Sequence, residues 1–196
     1  MCNEQRRRVA LGQIREDWGQ TRIPLRFPEG LPNLAPLESI RITDPNAIVR
    51  RAADDEGAEL VVRRWSWPGP NGRPVYNYRS EGRDFPPRRR CLIIADGFYE
   101  FTAPADPAKK RKDKWLFTLA GERWFCIAGL WRADEAVGEA YTMLTCAPGP
   151  DVAPYHDRQV VVLGRGDWER WLDPGVPAAE LLKPLPAGSL AVERVG

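Results

Sequence analysis

The sequence predicts an α+β fold: one domain built on a mainly antiparallel, twisted, barrel-like β-sheet with peripheral helices. Three observations carry this. A series of short β-rich segments is punctuated by turn residues, the gaps between them are too short for the crossover helices of parallel βαβ units, and 196 residues suit one core with appendages. The expected domain is 1–196, with a core over 1–172 and a C-terminal extension over 173–196.

The elements follow in order. Glu4 to Trp18 reads as one amphipathic helix, because Leu11, Ile14 and Trp18 recur at three- and four-residue spacing. Arg22 to Pro36 holds Pro24, Pro28, Pro32 and Pro36 and must be extended. Strands are predicted over 39–43, 47–50, 59–67, 75–78, 91–95, 98–102, 115–119, 124–130, 140–146 and 159–163. Gly121-Glu122 suits a hairpin tip. Asp167 is a candidate cap for a helix over 168–172, and 177–183 suggests a further helical turn. Ala103 to Lys114 is a polar insertion between strands.

The formal charge of +2 excludes a globally basic nucleic-acid binder. Between Arg50 and Lys114, however, 15 basic residues face 10 acidic ones, with Arg88-Arg89-Arg90 and 109–114 as the densest runs. These runs are either a solvated face or the flank of a phosphate-binding groove. Four cysteines without C-x-x-C spacing and a single histidine argue against a disulfide framework, a zinc site or any other metal site. No cofactor is implied. No apolar run approaches the roughly 18 residues of a membrane span, and the opening segment lacks the apolar stretch of a signal peptide. A soluble monomer in a reducing cytoplasm is expected, with no membrane partner.

Cys2 lies directly behind Met1. Removal of Met1 would present an amine and a thiol on adjacent carbons, with reference pKa values of roughly 8 and 8.5. Such a 1,2-aminothiol condenses with an aldehyde to an imine and then closes a thiazolidine ring. A mobile, idle terminus is the alternative. In Asp96-Gly97-Phe98-Tyr99-Glu100, alternation puts Phe98 and Glu100 on one face. Glu100 is then either a desolvated proton shuttle between aromatics or an exposed strand residue. His156, in Tyr155-His156-Asp157-Arg158, is the one group with an unperturbed pKa of about 6.5, either an acid/base or a hydrogen-bonded structural residue. Asp157 beside it could pair with Arg158. Asn77 and Arg79 share a strand face; Asn77 can donate to an oxygen, and Arg79 can grip phosphate or pair with Glu81. Trp65 and Trp67 also share a face, as core or as a stacking platform.

These pieces, in this order, resemble the SOS-response-associated peptidase (SRAP) family, proteins that crosslink to abasic sites in single-stranded DNA. The resemblance is carried by Met1-Cys2, Asn33-Leu34-Ala35-Pro36, Arg64-Trp65, Asn77-Tyr78-Arg79-Ser80-Glu81, Arg90 through Glu100, Ile127-Ala128-Gly129-Leu130-Trp131, and Thr145 through Arg158. It implies DNA repair in the cytoplasm, in association with the nucleoid, on single-stranded DNA containing abasic sites. It further implies that Cys2 is the nucleophile, Glu100 the proton-transfer acid, His156 the group that positions the sugar hydroxyl, and Asn77 the residue that holds the adduct. Arg79, Asn33, Pro36, Arg64, Trp65 and Trp67 are implied as DNA contacts. The peptidase label implies self-removal of Met1, for which an aminopeptidase is the alternative agent.

Two departures stand out. The family's common opening Cys-Gly-Arg is Cys2-Asn3-Glu4 here, and Arg6 is the candidate to supply the missing basic charge. The Trp65-Ser66-Trp67-Pro68 stretch is shorter than the family's usual Trp-Gly-Leu-Ile-Pro segment. Two other functions compete: a cysteine hydrolase acting in trans through Cys2, His156 and Glu100, and a non-catalytic reader of single-stranded or modified DNA.

Overall fold

Alternating apolar residues along long strands build two sheets that share one interior. The computed structural model describes all residues except Met1, Ala105, Pro107 and Lys109. The chain opens on β1 (Glu4–Arg7), α1 (Leu11–Trp18), β2 (Leu25–Arg26), β3 (Leu37–Arg41), β4 (Pro45–Arg51) and β5 (Ala58–Trp65). The short β6 (Trp67–Pro68), β7 (Pro74–Val75) and β8 (Asn77–Arg79) lead to β9 (Arg90–Ala95), β10 (Gly97–Thr102), β11 (Asp113–Leu119), β12 (Phe125–Asp134) and β13 (Gly138–Cys146). β14 (Gln159–Val160), β15 (Val162–Leu163), α2 (Arg165–Leu172) and β16 (Leu190–Arg194) follow.

The larger sheet runs β14-β13-β12-β9-β4-β5-β2, and β13 also pairs with β5. That extra pairing closes β13, β12, β9, β4 and β5 into a five-stranded barrel, the architecture that alternation and short gaps predict. The pairings are mostly antiparallel; β13 with β5, β13 with β8 and β2 with β5 are parallel. One face of these strands carries Val49, Leu60, Leu92, Cys126 and Leu144 and packs under the helices, where Trp18 stacks on Trp168 at 5.8 Å. The other carries Ile48, Val61, Trp65, Ile93, Ile127 and Met143 and merges with Phe98 and Phe117 of the second sheet. That second sheet runs β16-β11-β10-β1-β3.

The first departure from expectation is the most consequential. Residues 4–7 form a strand, and the helix starts only at Leu11. β1 lies between β10 and β3, so its four polar residues, Glu4 to Arg7, are buried. Burial of such groups is tolerated only with partners, and each has one. Glu4 takes Lys114 at 2.6 Å, Gln5 donates to the Tyr141 hydroxyl at 2.7 Å, and Arg6 donates to Asp96 at 2.5 Å. Arg7 donates to Asn46 at 2.9 Å and to the carbonyls of Leu34 and Ala35. Helical periodicity misread this segment because its burial is polar.

Other boundaries shift for local reasons. The strand expected over 59–67 breaks at Ser66, whose φ of 79° lies in the left-handed region. The segment expected at 159–163 splits at Val161, where the chain crosses from β13 to β12: its N–H donates to Leu144 on β13 and its carbonyl accepts from Ala128 on β12. The second helix begins at Arg165 after Gly164, and Asp167 sits inside its first turn bonded to Arg170 rather than capping it. Residues 178–180 make one 3₁₀ turn. Gly121 has φ 77° at the predicted hairpin tip. Beyond 172, Ala178, Leu181 and Leu190 are buried, and β16 adds to β11 as an edge strand. No described helix is long and apolar enough to cross a membrane.

Candidate active site

The polar strand β1 delivers Cys2 to Glu100. Its register against β10 pairs Glu4 with Tyr99, so one step further back Asn3 faces Glu100, with Cys2 just beyond. Gly97, opposite Arg6, leaves room for the Leu116 side chain of β11, since a Cβ there would lie 2.6 Å from Leu116 Cδ1. Cys2 is 1 % exposed and packs in the same cluster as Phe98 and Phe117. Its thiol donates to the Glu4 carbonyl at 3.3 Å, and its carbonyl accepts from Asn77 Nδ2 at 2.7 Å. Its backbone N–H donates to the Glu100 carboxylate. The nitrogen and the carbonyl of one residue are therefore each held by a residue singled out from sequence.

Electrostatics follow from that burial. Glu100, 1 % exposed and opposite Trp115 on β11, has its pKa pushed up to about 7 by desolvation, with the Asp157 charge adding to the rise and the Cys2 N–H opposing it. Alternation is as expected: Phe98 and Glu100 face inward, while Tyr99 faces Lys114, whose Nζ lies 3.8 Å from its ring centroid. Burial, then the Glu100 charge, holds the Cys2 thiol far above the ordinary thiol range, so the sulfur is a neutral S–H.

His156 ends a turn in which the Val152 carbonyl accepts from the N–H groups of Tyr155 and His156 at 2.8 and 3.0 Å. The Tyr155 ring lies 4.7 Å from Trp115 and 5.3 Å from Phe117, which fixes this turn against β11 beside Glu100. Imidazole Nδ1 sits between the Asp157 carboxylate at 2.7 Å and the Arg158 N–H at 3.0 Å. The fork suits both protonation states: a neutral ring accepts from Arg158, and a protonated ring donates to Asp157. Burial lowers the pKa of His156, the nearby Lys112 charge lowers it further, and Asp157 works against both.

The remaining pairings differ from the simplest expectations. Glu81 pairs with Arg158, not Arg79, with Arg158 Nη2 2.9 Å from Glu81 Oε2, 2.9 Å from the Thr145 carbonyl and 3.0 Å from its hydroxyl. Asp157 accordingly goes to His156. Arg79 is exposed at the end of β8, and among the described residues it forms no ion pair. Arg6 does not supply a free charge beside Cys2, because its guanidinium is committed to Asp96. Arg64 reaches the Thr43 carbonyl at 3.5 Å. Trp65 is wholly buried, with its indole N–H on the Tyr76 carbonyl at 2.9 Å, so it is core and offers no stacking face. The kink at Ser66 separates it from Trp67, which is 7 % exposed under the Arg132 guanidinium at 4.5 Å. Asn33 and Pro36 are exposed on either side of the carbonyls that hold Arg7.

The structure places Asn77 and Glu100 on Cys2, with His156 on the turn packed against β11, and sequence reasoning missed the supporting charges. Lys112 and the Glu81–Arg158 clamp carried no periodic signal, because their partners are remote in the chain. Among the described residues no group of three or more His, Cys, Asp or Glu could hold a metal ion.

The chain is similar to several known proteins. The chain is 25 % identical over 175 residues to the abasic site processing protein YoaM of Bacillus subtilis, covering 78 % of this chain and 70 % of that one. It is 30 % identical over 135 residues to the abasic site processing protein HMCES of Gallus gallus, covering 55 % of this chain but only 38 % of that longer protein. A crystal structure of a Bordetella bronchiseptica protein superposes with a TM-score of 0.71 at 24 % identity, covering all of both chains. A Bacteroides thetaiotaomicron protein gives 0.71 at 16 % identity over all of this chain and 92 % of the other. These two likenesses concern the fold. The family model described as SOS response associated peptidase (SRAP) matches residues 1–196, and the chain belongs to that family.

Proposed function

We propose that this protein processes abasic sites in single-stranded DNA, capturing them as a thiazolidine between the ring-opened sugar and Cys2 after loss of Met1. The observation that carries the reading is the pair of contacts on Cys2: its nitrogen on the Glu100 carboxylate and its carbonyl on Asn77. The names of YoaM and HMCES point the same way.

The chemistry balances with these residues alone. For processing, the Cys2 thiol adds to the preceding carbonyl and gives its proton to the Glu100 carboxylate. The Cys2 nitrogen departs with a proton from neutral Glu100, and water hydrolyses the resulting thioester to release Met1. Capture begins when the abasic sugar opens to its C1′ aldehyde, with His156 holding the sugar hydroxyl. The Cys2 amine adds to that carbon, and neutral Glu100 protonates the departing hydroxyl, which leaves as water to give an imine. The thiol then adds to the imine carbon, and its proton passes through Glu100 to the nitrogen. One water is lost in total. A carboxyl with a pKa near 7 is suited to both donating and accepting at neutral pH. Cys2 is buried in the unprocessed chain, so capture requires that processing also open its approach. Arg79, Asn33, Pro36 and Trp67 remain the proposed DNA contacts, and a cytoplasmic monomer the proposed working form.

Incubation with uracil-glycosylase-treated single-stranded DNA, followed by a denaturing gel, tests this. A retarded, SDS-resistant band with abasic DNA, absent with intact DNA and in Cys2→Ala, is expected. No band from protein whose intact mass shows Met1 removed overturns the proposal. Salt-sensitive binding that survives Cys2→Ala, without the band, favours a non-catalytic reader.

A further inference from the structure

Asp151 has no part in the chemistry above, yet both oxygens of its carboxylate are committed. Oδ1 accepts from the Gly188 N–H and Oδ2 from the Leu190 N–H, each at 2.9 Å. Asp151 lies in the turn that ends at His156, and Leu190 opens β16. One side chain therefore ties the His156 turn to a strand 39 residues further on.

Packing continues the contact. Gly149, at the head of that turn, is buried where no side chain fits: a Cβ would lie 2.8 Å from Pro184 Cβ and 3.1 Å from the Leu185 carbonyl oxygen. Its N–H donates to Gln159 Oε1 at 2.5 Å, and its carbonyl accepts from Val152 and Ala153 at 3.1 and 2.9 Å. Val152, wholly buried, passes the constraint on, since its carbonyl holds the N–H groups of Tyr155 and His156. The other end of the segment reaches the second proton-transfer group. β16 pairs with β11, placing Arg194 opposite Trp115, which itself stands opposite Glu100. The Arg194 guanidinium lies 5.9 Å from the Trp115 ring centroid, and that ring meets Tyr155 at 4.7 Å. Residues 184–194 thus brace both the turn that carries His156 and the strand paired with Glu100.

We infer that Asp151 is a positioning residue: by latching residues 188–190 onto the His156 turn, it sets the imidazole at the spacing from Glu100 that capture requires. Its carboxylate suits the task, because charge-assisted bonds to two backbone N–H groups are strong and directional. The use made of that spacing rests on the abasic-site reading; the latch itself does not. A misplacement of about 1 Å costs roughly 10²-fold in rate, so a loosened latch shows in the rate before it shows in binding.

Two measurements on the processed full-length chain test it. They compare Asp151→Ala, Asp151→Asn, which keeps the shape and one acceptor, and Ile14→Val, which lowers stability from the core beneath α1. In the first, adduct formation is timed over a range of concentrations of abasic oligothymidine. The maximal rate is expected to fall about 10–100-fold in Asp151→Ala at an unchanged half-saturating concentration, less in Asp151→Asn, and not in Ile14→Val. An unchanged maximal rate in folded Asp151→Ala, or an equal loss in Ile14→Val, overturns the latch.

In the second, the His156 imidazole resonance is titrated without DNA. In Asp151→Ala its midpoint is expected to rise toward the ordinary value of about 6.5, because Asp157 moves with the turn while burial and the Lys112 charge, which lower it, are left behind. That rise supports the latch even if no variant ever forms an adduct, in which case only the abasic-site reading fails. A midpoint equal to that of the parent chain overturns the latch. Should Asp151→Ala fail to fold, Asp151→Asn carries both readouts with the same signs.

Discussion

Asn77 Nδ2 donates to the carbonyl of Cys2 at 2.7 Å, joining residues 75 positions apart. The bond ties β8 to Cys2, two residues ahead of β1, and fixes the orientation of the Cys2 nitrogen toward Glu100. Asn77→Ala is expected to slow adduct formation by about tenfold or more while reducing stability by only about 0.5–1.5 kcal/mol, the worth of one hydrogen bond. Gel time courses and urea melts separate the two effects. A rate loss explained entirely by unfolding would contradict the orienting role.

Glu100 makes a pH prediction with a definite sign. Its pKa rises from an ordinary 4.5 to about 7 on folding, so the folded state binds more protons than the unfolded state between those values. Stability is therefore full below pH 4.5 and declines as pH rises to about 7, by an upper limit of ~3 kcal/mol from this group. Glu100→Gln is expected to remove that decline in urea melts taken from pH 5 to 8. The same substitution is expected to cut the adduct rate by about 10²–10⁴ and to abolish its fall above pH 7, where the acid form is lost.

Asp157 is expected to act on both proton-transfer groups. Its charge raises His156 and Glu100 alike. Asp157→Asn should therefore lower both, moving the Glu100 limb of the rate profile and the His156 titration to lower pH. Since the chain has one histidine, a single imidazole resonance reports the second shift directly. A midpoint that stays in place would contradict the 2.7 Å contact between His156 and Asp157.

Fold and site were legible to different depths. The inward face shared by Phe98 and Glu100 was readable because strand alternation is a local signal. The strand Glu4–Arg7 was not, since its burial is secured by Tyr141, Asp96, Asn46 and Lys114, none of which is near in sequence. Trp65 and Trp67 were read as sharing one face, as core or platform, because alternation assumes ordinary backbone, and a left-handed Ser66 broke it.

The buried Arg6–Asp96 pair anchors that polar strand. Asp96→Ala leaves Arg6 buried without its partner and is expected to cost about 3–5 kcal/mol. Urea denaturation checks this; a loss below about 1 kcal/mol would show that β1 is held by its backbone ladders alone.

Cys2→Ser keeps the amine and removes the sulfur. It is expected to give an adduct that survives a denaturing gel only after borohydride reduction, because the imine lacks a thiol to close the ring. A serine variant whose unreduced adduct is as durable as wild type would remove the thiazolidine from the account.

The most direct measurement is mass spectrometry of the adduct after digestion of protein and DNA. The account predicts that the modified peptide begins at Cys2, lacks Met1, and carries the abasic sugar less one water on its nitrogen and sulfur. Modification on a lysine, or on a peptide that still retains Met1, would contradict it.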